Sequence, residues 1–361
     1  MRASVQAWPQ PAAPGNRAPV VVCGIDGARA DKEVVVFAAE LTRRTGGRLI
    51  LLRVQRPPLI GLEPQIAYAA PQTGPDATRD QIAAARALAR LAVDAGVAPS
   101  TDVRVGSGDL EQQLLTTARD EQATVLVVGS RVGSRLGLGR SLARRVIRGA
   151  PCPVVVVPVA GTQGAVASPR SSWGRAPMAF EPASDDAVPV NATNGGHVTG
   201  SILCGIDGSQ HARLALRHAA RLADELDMRL IVATVVQLPL PSPRVGQTAD
   251  QLTGIPVDAL LAAGEAILES LLDEEDIGDV ERRVLLGFPG DRLADLADDE
   301  AAELIVVGSR GRGAVKAALL GSVSTDLIGV ARCPVLVVPP HAEPPGAERV
   351  QTTAASMPPP T

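Results

Sequence analysis

The segment Glu303–Pro339 reads ELIVVGSRGRGAVKAALLGSVSTDLIGVARCPVLVVP. It opens on a short β-branched run, Glu303–Val307, of the kind buried on both faces of a sheet. The chain then breaks at Gly308 and shows a regular spacing: Gly308-x-x-Gly311, nine residues, then Gly321-Ser322. An amphipathic stretch over Ser322–Val330 follows, and a second β-branched run, Pro334–Val338, closes the segment. Strand, glycine loop, helix and strand in that order make a βαβ unit.

Outward from this segment the unit extends. Strands are expected at Ser201–Ile206, Arg229–Val235 and Val280–Leu286, with helices at Gln210–Leu226, Val257–Asp273 and Asp291–Ala301. Alternating β and α elements imply a parallel sheet with helices on both faces. Right-handed crossovers then make an open doubly wound sheet the expected fold.

The same pattern occurs twice. Cys23-Gly24-Ile25-Asp26-Gly27 returns 181 residues later as Cys204-Gly205-Ile206-Asp207-Gly208, and Arg48-Leu49-Ile50 returns at the same offset. Val127-Val128-Gly129-Ser130-Arg131 returns 179 residues later, and Cys152-Pro153-Val154 again 181 residues later. Copy one therefore lacks two residues between Arg131 and Cys152. The repeat divides the chain into an N-terminal tail (1–18), copy one (19–159), a Ser/Pro/Gly/Ala linker (160–197), copy two (198–340) and a C-terminal tail (341–361). The tails and linker have the composition of flexible coil.

Composition narrows the function classes. The chain has 361 residues, 45% apolar and only 2% aromatic, so aliphatic side chains must build the core. Net charge is −4, which gives no general attraction to nucleic acid, and few aromatics are present to stack bases. No stretch is long and apolar enough for a membrane span, and the Pro-rich N-terminus lacks a signal-peptide core, so a cytoplasmic protein is expected. Cys23, Cys152, Cys204 and Cys333 form no C-x-x-C pair and are expected as buried free thiols. His211 and His218 are expected to be exposed on one helix, with no metal-ligand spacing around them.

In doubly wound sheets ligands bind beyond the carboxyl ends of strands where the strand order reverses. Asp207 and Gly308 meet there if strands 1 and 4 of copy two flank the reversal. Glycines let backbone N–H groups approach an anion closely. Gly321-Ser322 opens a helix whose N-terminal amides favour phosphate, and the Ser322 hydroxyl is a further donor and a cap. Arg310, Arg312 and Lys316 add positive charge to the loop. Asp207 has a plainer reading too, because Asp-Gly-Ser is turn and cap chemistry. Gly287-Phe288-Pro289-Gly290 reads as a structural turn.

The duplicated domain resembles the universal stress proteins in their tandem form, over about 280 of the 361 residues. The resemblance implies a five-stranded sheet ordered 3-2-1-4-5 in each copy, with ATP at the reversal, accompanied by Mg2+. It also implies residue roles. Asp207 contacts the adenosine part, backbone near Val235 faces the adenine, Gly308 and Gly311 line ribose and phosphates, and Gly321 and Ser322 hold the phosphates. Strands 5 of the two copies, Val154–Val157 and Val335–Val338, are expected to associate as an internal pseudo-dimer, with a homodimer of chains left open as a further assembly.

Copy one departs from the pattern. Asp26 and Gly129 match Asp207 and Gly308, but Val132 (or Gly133 with a shifted gap) stands for Gly311, and Arg140-Ser141 stands for Gly321-Ser322. Asp26, Gly129 and Ser141 thus outline at most a weaker second site. Copy one carries Arg131, Arg135, Arg140, Arg144, Arg145 and Arg148 here, read first as a solvated face meeting a carboxylate or water. The chain lacks a P-loop and a nucleophile elbow. A nucleotide-dependent regulatory module is therefore the leading expectation. A weak ATPase is the alternative, and a nucleotide-free structural stress protein the third reading.

Overall fold

In the computed structural model the residues described are 18–25, 31–55, 75–94, 101–131, 142–159, 200–237, 257–277, 280–311, 320–340 and 342. Copy one supplies β1 (Val20–Ile25), α1 (Asp31–Thr45), β2 (Arg48–Gln55), α2 (Pro75–Asp94), β3 (Asp102–Ser107), α3 (Leu110–Asp120), β4 (Val125–Arg131), α4 (Leu142–Gly149) and β5 (Val154–Val159). Copy two supplies β6 (Ser201–Ile206), α5 (Gln210–Leu226), β7 (Arg229–Val236), α6 (Val257–Glu274), β8 (Glu281–Leu286), α7 (Pro289–Asp299), β9 (Leu304–Gly308), α8 (Ser322–Val330) and β10 (Val335–Val338). The fold is α/β, as the alternation of elements implies.

One end of α7 departs from the sequence reading. Pro289 and Gly290 belong to the helix rather than to a turn before it. Proline at the first helical position has its φ already set and no N–H to leave unsatisfied. The turn is confined to Gly287, at φ +131°, and Phe288 is the cap residue, 64% exposed.

The ten strands form one sheet in the order β3-β2-β1-β4-β5-β10-β9-β6-β7-β8. Neighbours within each copy run parallel, as β1 with β2 and β6 with β9. The order reverses between β1 and β4, and again between β6 and β9. At the centre β5 and β10 pair antiparallel: Val335 with Val156, Leu336 with Val155, Val337 with Val154. Leu336 is the residue that repeats Val155, so a local twofold axis passes between those two residues.

Side chains alternate across the sheet, and two apolar layers result. Val21, Cys23 and Ile25 face α1 and α5, while Val22 faces the opposite layer. Neither layer stops at the seam between the copies. Val155 and Val157 share one layer with Leu336 and Val338, and Val154 and Val156 share the other with Val335 and Val337. Each fully buried Val or Leu side chain contributes roughly 1.5–3 kcal/mol relative to exposure. The repeated Cys-Gly-Ile motif fits this packing. Cys23 and Cys204 are buried in the first layer. A Cβ on Gly24 would lie 2.7 Å from Leu114, and one on Gly205 2.7 Å from Leu293, so glycine lets α3 and α7 close on the strands.

All four cysteines are free and buried. Burial pushes the Cys23 and Cys204 thiols far above the ordinary range, and lifts Cys333 to about 12, with the Asp298 carboxylate adding to the effect. Native thiols should therefore resist alkylation. Because both layers cross the seam, the two copies should unfold together. Urea titration followed by far-UV circular dichroism, and by labelling of Cys23 and Cys204 located by mass spectrometry, should give one shared midpoint. Labelling of one copy at lower urea than the other would show that the cores are independent.

Candidate functional site

Three chain segments meet at the carboxyl edge of copy two. In the sheet Ile206 pairs with Thr234 and Gly205 with Val307. Asp207, Val235 and Gly308 therefore sit at the same edge, on adjacent strands, where the strand order reverses.

Asp207 follows the last residue of β6. Its Oδ1 accepts the Ser209 N–H at 3.0 Å, and Ser209 Oγ in turn accepts the Ala212 N–H at 3.2 Å, capping α5. Gly208 between them has φ +78°. The turn-and-cap reading of Asp-Gly-Ser thus describes one carboxylate oxygen. The other faces the glycine loop, because a Cβ on Gly311 would collide with Asp207 Oδ2.

Gly308 ends β9. A Cβ there would lie 2.8 Å from the His211 carbonyl oxygen, so the first turn of α5 can rest on the strand end only over a glycine. Ser309 N–H donates to Val338 O at 2.8 Å, and the chain then leaves the sheet. Arg312 and Lys316 lie outside the described residues. The chain returns at Leu320, and Gly321 N–H donates to Ser309 O at 2.7 Å, tying the two ends of the loop together.

The start of α8 differs from expectation in one respect. Gly321 is the cap residue and offers no side chain, and Ser322 is exposed at the first helical position. Ser324, one position overlooked in the sequence, does the local work. Its buried hydroxyl donates to Gly321 O at 3.1 Å and reaches Ser309 O at 3.5 Å. A serine two residues past the expected one carries no separate sequence signal, since only the helical turn brings it back over the loop. The amides of Ser322, Val323 and Ser324 have no acceptor inside the helix, and the helix dipole makes this end positive. Val235 is half-buried on β7 and pairs with Leu285.

Copy one has a different strand end. Gly129 lies within β4, which runs two residues further and pairs Ser130 with Pro158 and Arg131 with Val159. Its counterpart in copy two has left the sheet by then. A Cβ on Gly129 would meet a methyl of Val34 at 2.9 Å, a side chain rather than backbone. Asp26, Val132, Gly133, Arg135, Arg140 and Ser141 lie outside the described residues. Of the arginine-rich face, Arg145 bonds Glu111 at 2.6 Å, so at that residue the face meets a carboxylate.

The histidines are not exposed as expected. His211 and His218 are both half-buried. His218 repeats the position of Phe37, and both line the space between α1 and α5.

A repeated, doubly wound α/β sheet with a glycine loop at the reversal of one copy defines the class: tandem proteins built from one doubly wound α/β unit. Comparison with known proteins gives the family. The model of the universal stress protein family matches residues 19–158 and 199–339, and the chain belongs to that family. It is 32% identical over 147 residues to a universal stress protein of Methanocaldococcus jannaschii, covering 40% of this chain and 85% of that one. Likewise it is 34% identical over 145 residues to one of Mycobacterium tuberculosis, covering 38% of this chain and 94% of the relative. A universal stress protein structure from Archaeoglobus fulgidus shares the fold over 90% of this chain and 97% of its own, with a TM-score of 0.55 at 18% identity. No helix among the described residues is long and apolar enough to cross a membrane.

The two strand-end glycines give a direct comparison. Gly308→Ala pushes a methyl into helix backbone and should lower unfolding stability by about 1–3 kcal/mol. Gly129→Ala meets a methyl of the buried Val34 rather than backbone, and should cost about 1 kcal/mol less than Gly308→Ala. Equal losses in urea denaturation would mean that the first turn of α5 yields as easily as a side chain.

Proposed function

We propose that the chain is an ATP-binding stress-response protein in which copy two holds the nucleotide and acts as a nucleotide-dependent regulatory module in the cytoplasm. Asp207 takes the adenosine part, backbone near Val235 the adenine, Gly308 and Gly311 the ribose and phosphates, and Gly321 and Ser322 the phosphates. Mg2+ accompanies the nucleotide. Copy one, with Asp26, Gly129 and Ser141, is a weaker site or a silent one.

The observation that carries this reading is the contact between Asp207 and the loop. The carboxylate is fixed on one oxygen by Ser209, and its other oxygen occupies the place a Cβ at position 311 would take, so strand end and loop approach closely over a glycine. That arrangement joins strand 1 to the glycine loop at the mouth of a helix N-terminus, a geometry suited to a group carrying both a sugar and phosphates. A second observation supports a polar ligand. Ser309 Oγ, Arg310 Nε and Thr325 Oγ1 are buried with no hydrogen-bond partner among the described residues. Buried polar atoms are rarely left so, and a bound phosphate or water would satisfy them. The pairing of β5 with β10 supports an internal pseudo-dimer of the two copies. A homodimer of whole chains would have to use another surface, since both strand-5 edges are already taken. Buried free thiols accord with a reducing compartment.

The test is to purify the chain without added nucleotide, denature it by heat and identify what is released by chromatography and mass spectrometry. ATP or ADP near one per chain is expected, and Gly321→Arg should empty the site. Two per chain would restore copy one as a full site, and cyclic AMP alone would replace the ligand. Release of nothing, with no binding of added ATP, would leave a structural protein. Single-turnover assays at high protein concentration should show hydrolysis near the uncatalysed rate; a large burst would make the protein an ATPase instead.

A further inference from the structure

A cavity of about 240 Å3 lies in the seam between the copies, beneath α1 and α5. No described residue of the glycine loop lines it. The floor is apolar, formed by Val21, Val125 and Val155 of copy one with Leu304 and Leu336 of copy two. Phe37 and Leu41 of α1 and Leu222 of α5 add apolar walls. Thr45, Thr124 and the pair Arg221–Glu225 form the polar rim, with Arg221 Nε 2.6 Å from Glu225 Oε1.

The local twofold axis relates this space to one on the other side of the seam, where the lining residues differ. Gly200 and Ala301 are smaller than Pro19 and Gln122, but at four related positions copy two has the larger side chain: Glu303 for Thr124, Leu226 for Thr45, Leu304 for Val125 and Ile202 for Val21. All four are buried. Gly200 stands where Pro19 borders the cavity, and a Cβ on it would lie 2.6 Å from Glu303 Oε1 and 2.9 Å from Met228 Cε. Glu303 also approaches Arg44 of copy one, at 3.7 Å, and so ties α1 to the far copy. The counterpart of that pair is Thr124 with Glu225, which makes no ion pair. Val21, Thr45 and Thr124 are thus the smaller residues on the side that holds the cavity.

We propose that this seam cavity is a binding site for a compact, neutral, largely apolar molecule, about the size of a one- or two-ring aromatic, with a hydrogen-bonding group at the Arg221–Glu225 rim. Native cores pack with few voids larger than a water molecule. A dry apolar cavity of roughly 150 Å3 already accepts benzene, so this one has room for a somewhat larger ring system. An ionised ligand is disfavoured, because Arg221 and Glu225 at the rim already pair with each other and the rest of the lining, His218 apart, carries no ionisable side chain. The site is independent of nucleotide binding by copy two.

Indole is the probe. Calorimetry on the full chain should give a Kd below about 1 mM. Thr45→Leu combined with Val125→Leu introduces the residues that copy two already uses, Leu226 and Leu304. That double variant should keep its thermal midpoint and bind indole at least about tenfold more weakly. No binding near the solubility limit of indole, or unchanged affinity in the folded variant, overturns the proposal. If the variant does not fold, the unaltered chain decides by methyl NMR. Contacts from indole protons to the Leu222 and Leu336 methyls are expected, and contacts only elsewhere would sink the idea. So would contacts from the Trp8 ring to those methyls in ligand-free protein, which would make the chain's own N-terminal segment the occupant.

Discussion

The hydrogen bonding of β5 to β10 is the constraint on which the rest of the molecule depends. Each copy alone would present the open edge of its fifth strand, a row of donors and acceptors with no partner. Setting the two edges against each other removes both liabilities at once and makes one ten-stranded sheet. Both apolar layers then run on without a break, and α1 is brought beside α5. The same pairing holds β10 in place against β9, and β10 in turn accepts the last bond that Ser309 gives the sheet before the glycine loop departs. The shape of the candidate site is thus tied to a contact two strands away.

Much of this was written plainly in the chain. The repeat, the alternation of elements and the bounds of β6, α5 and α8 follow from periodicity and from capping residues such as Ser209. Gly308, Gly311 and Gly321 announce themselves by spacing. What stayed hidden depends on three-dimensional neighbours. His218 reads as a surface residue on an amphipathic helix until the first copy is laid against it, and then it occupies the position of a buried phenylalanine. Pro289 reads as a turn residue because proline serves both turns and helix starts, and only the backbone bonds of α7 decide between them. Ser324 lacks a signal because its partners, Gly321 O and Ser309 O, come together only once the loop closes.

Copy two also shows how one residue serves folding and chemistry together. Asp207 begins the turn that launches α5 with one oxygen, and presents the other to the glycine loop. Such a residue would remain in place after a ligand site decayed, since the helix start still needs it. The presence of an aspartate at position 26 therefore says little about whether copy one binds anything. The run of β4 beyond Gly129 says more. Where copy two turns away from the sheet, copy one continues to hydrogen-bond along β5, and the backbone is spent on pairing instead of being free to wrap an anion.

The linking of both copies in one polypeptide has a consequence for how the seam can change. In an assembly of two identical chains every substitution near the axis is made twice, so a favourable change on one side is bound to its mirror on the other. Here the axis relates residues that are inherited separately. Glu303 could arise without a second glutamate opposite it, and Thr124 could remain small. Covalent duplication therefore lets a symmetric interface acquire a handed one, with a brace on one side and an opening on the other, through changes that a homodimer could not make singly.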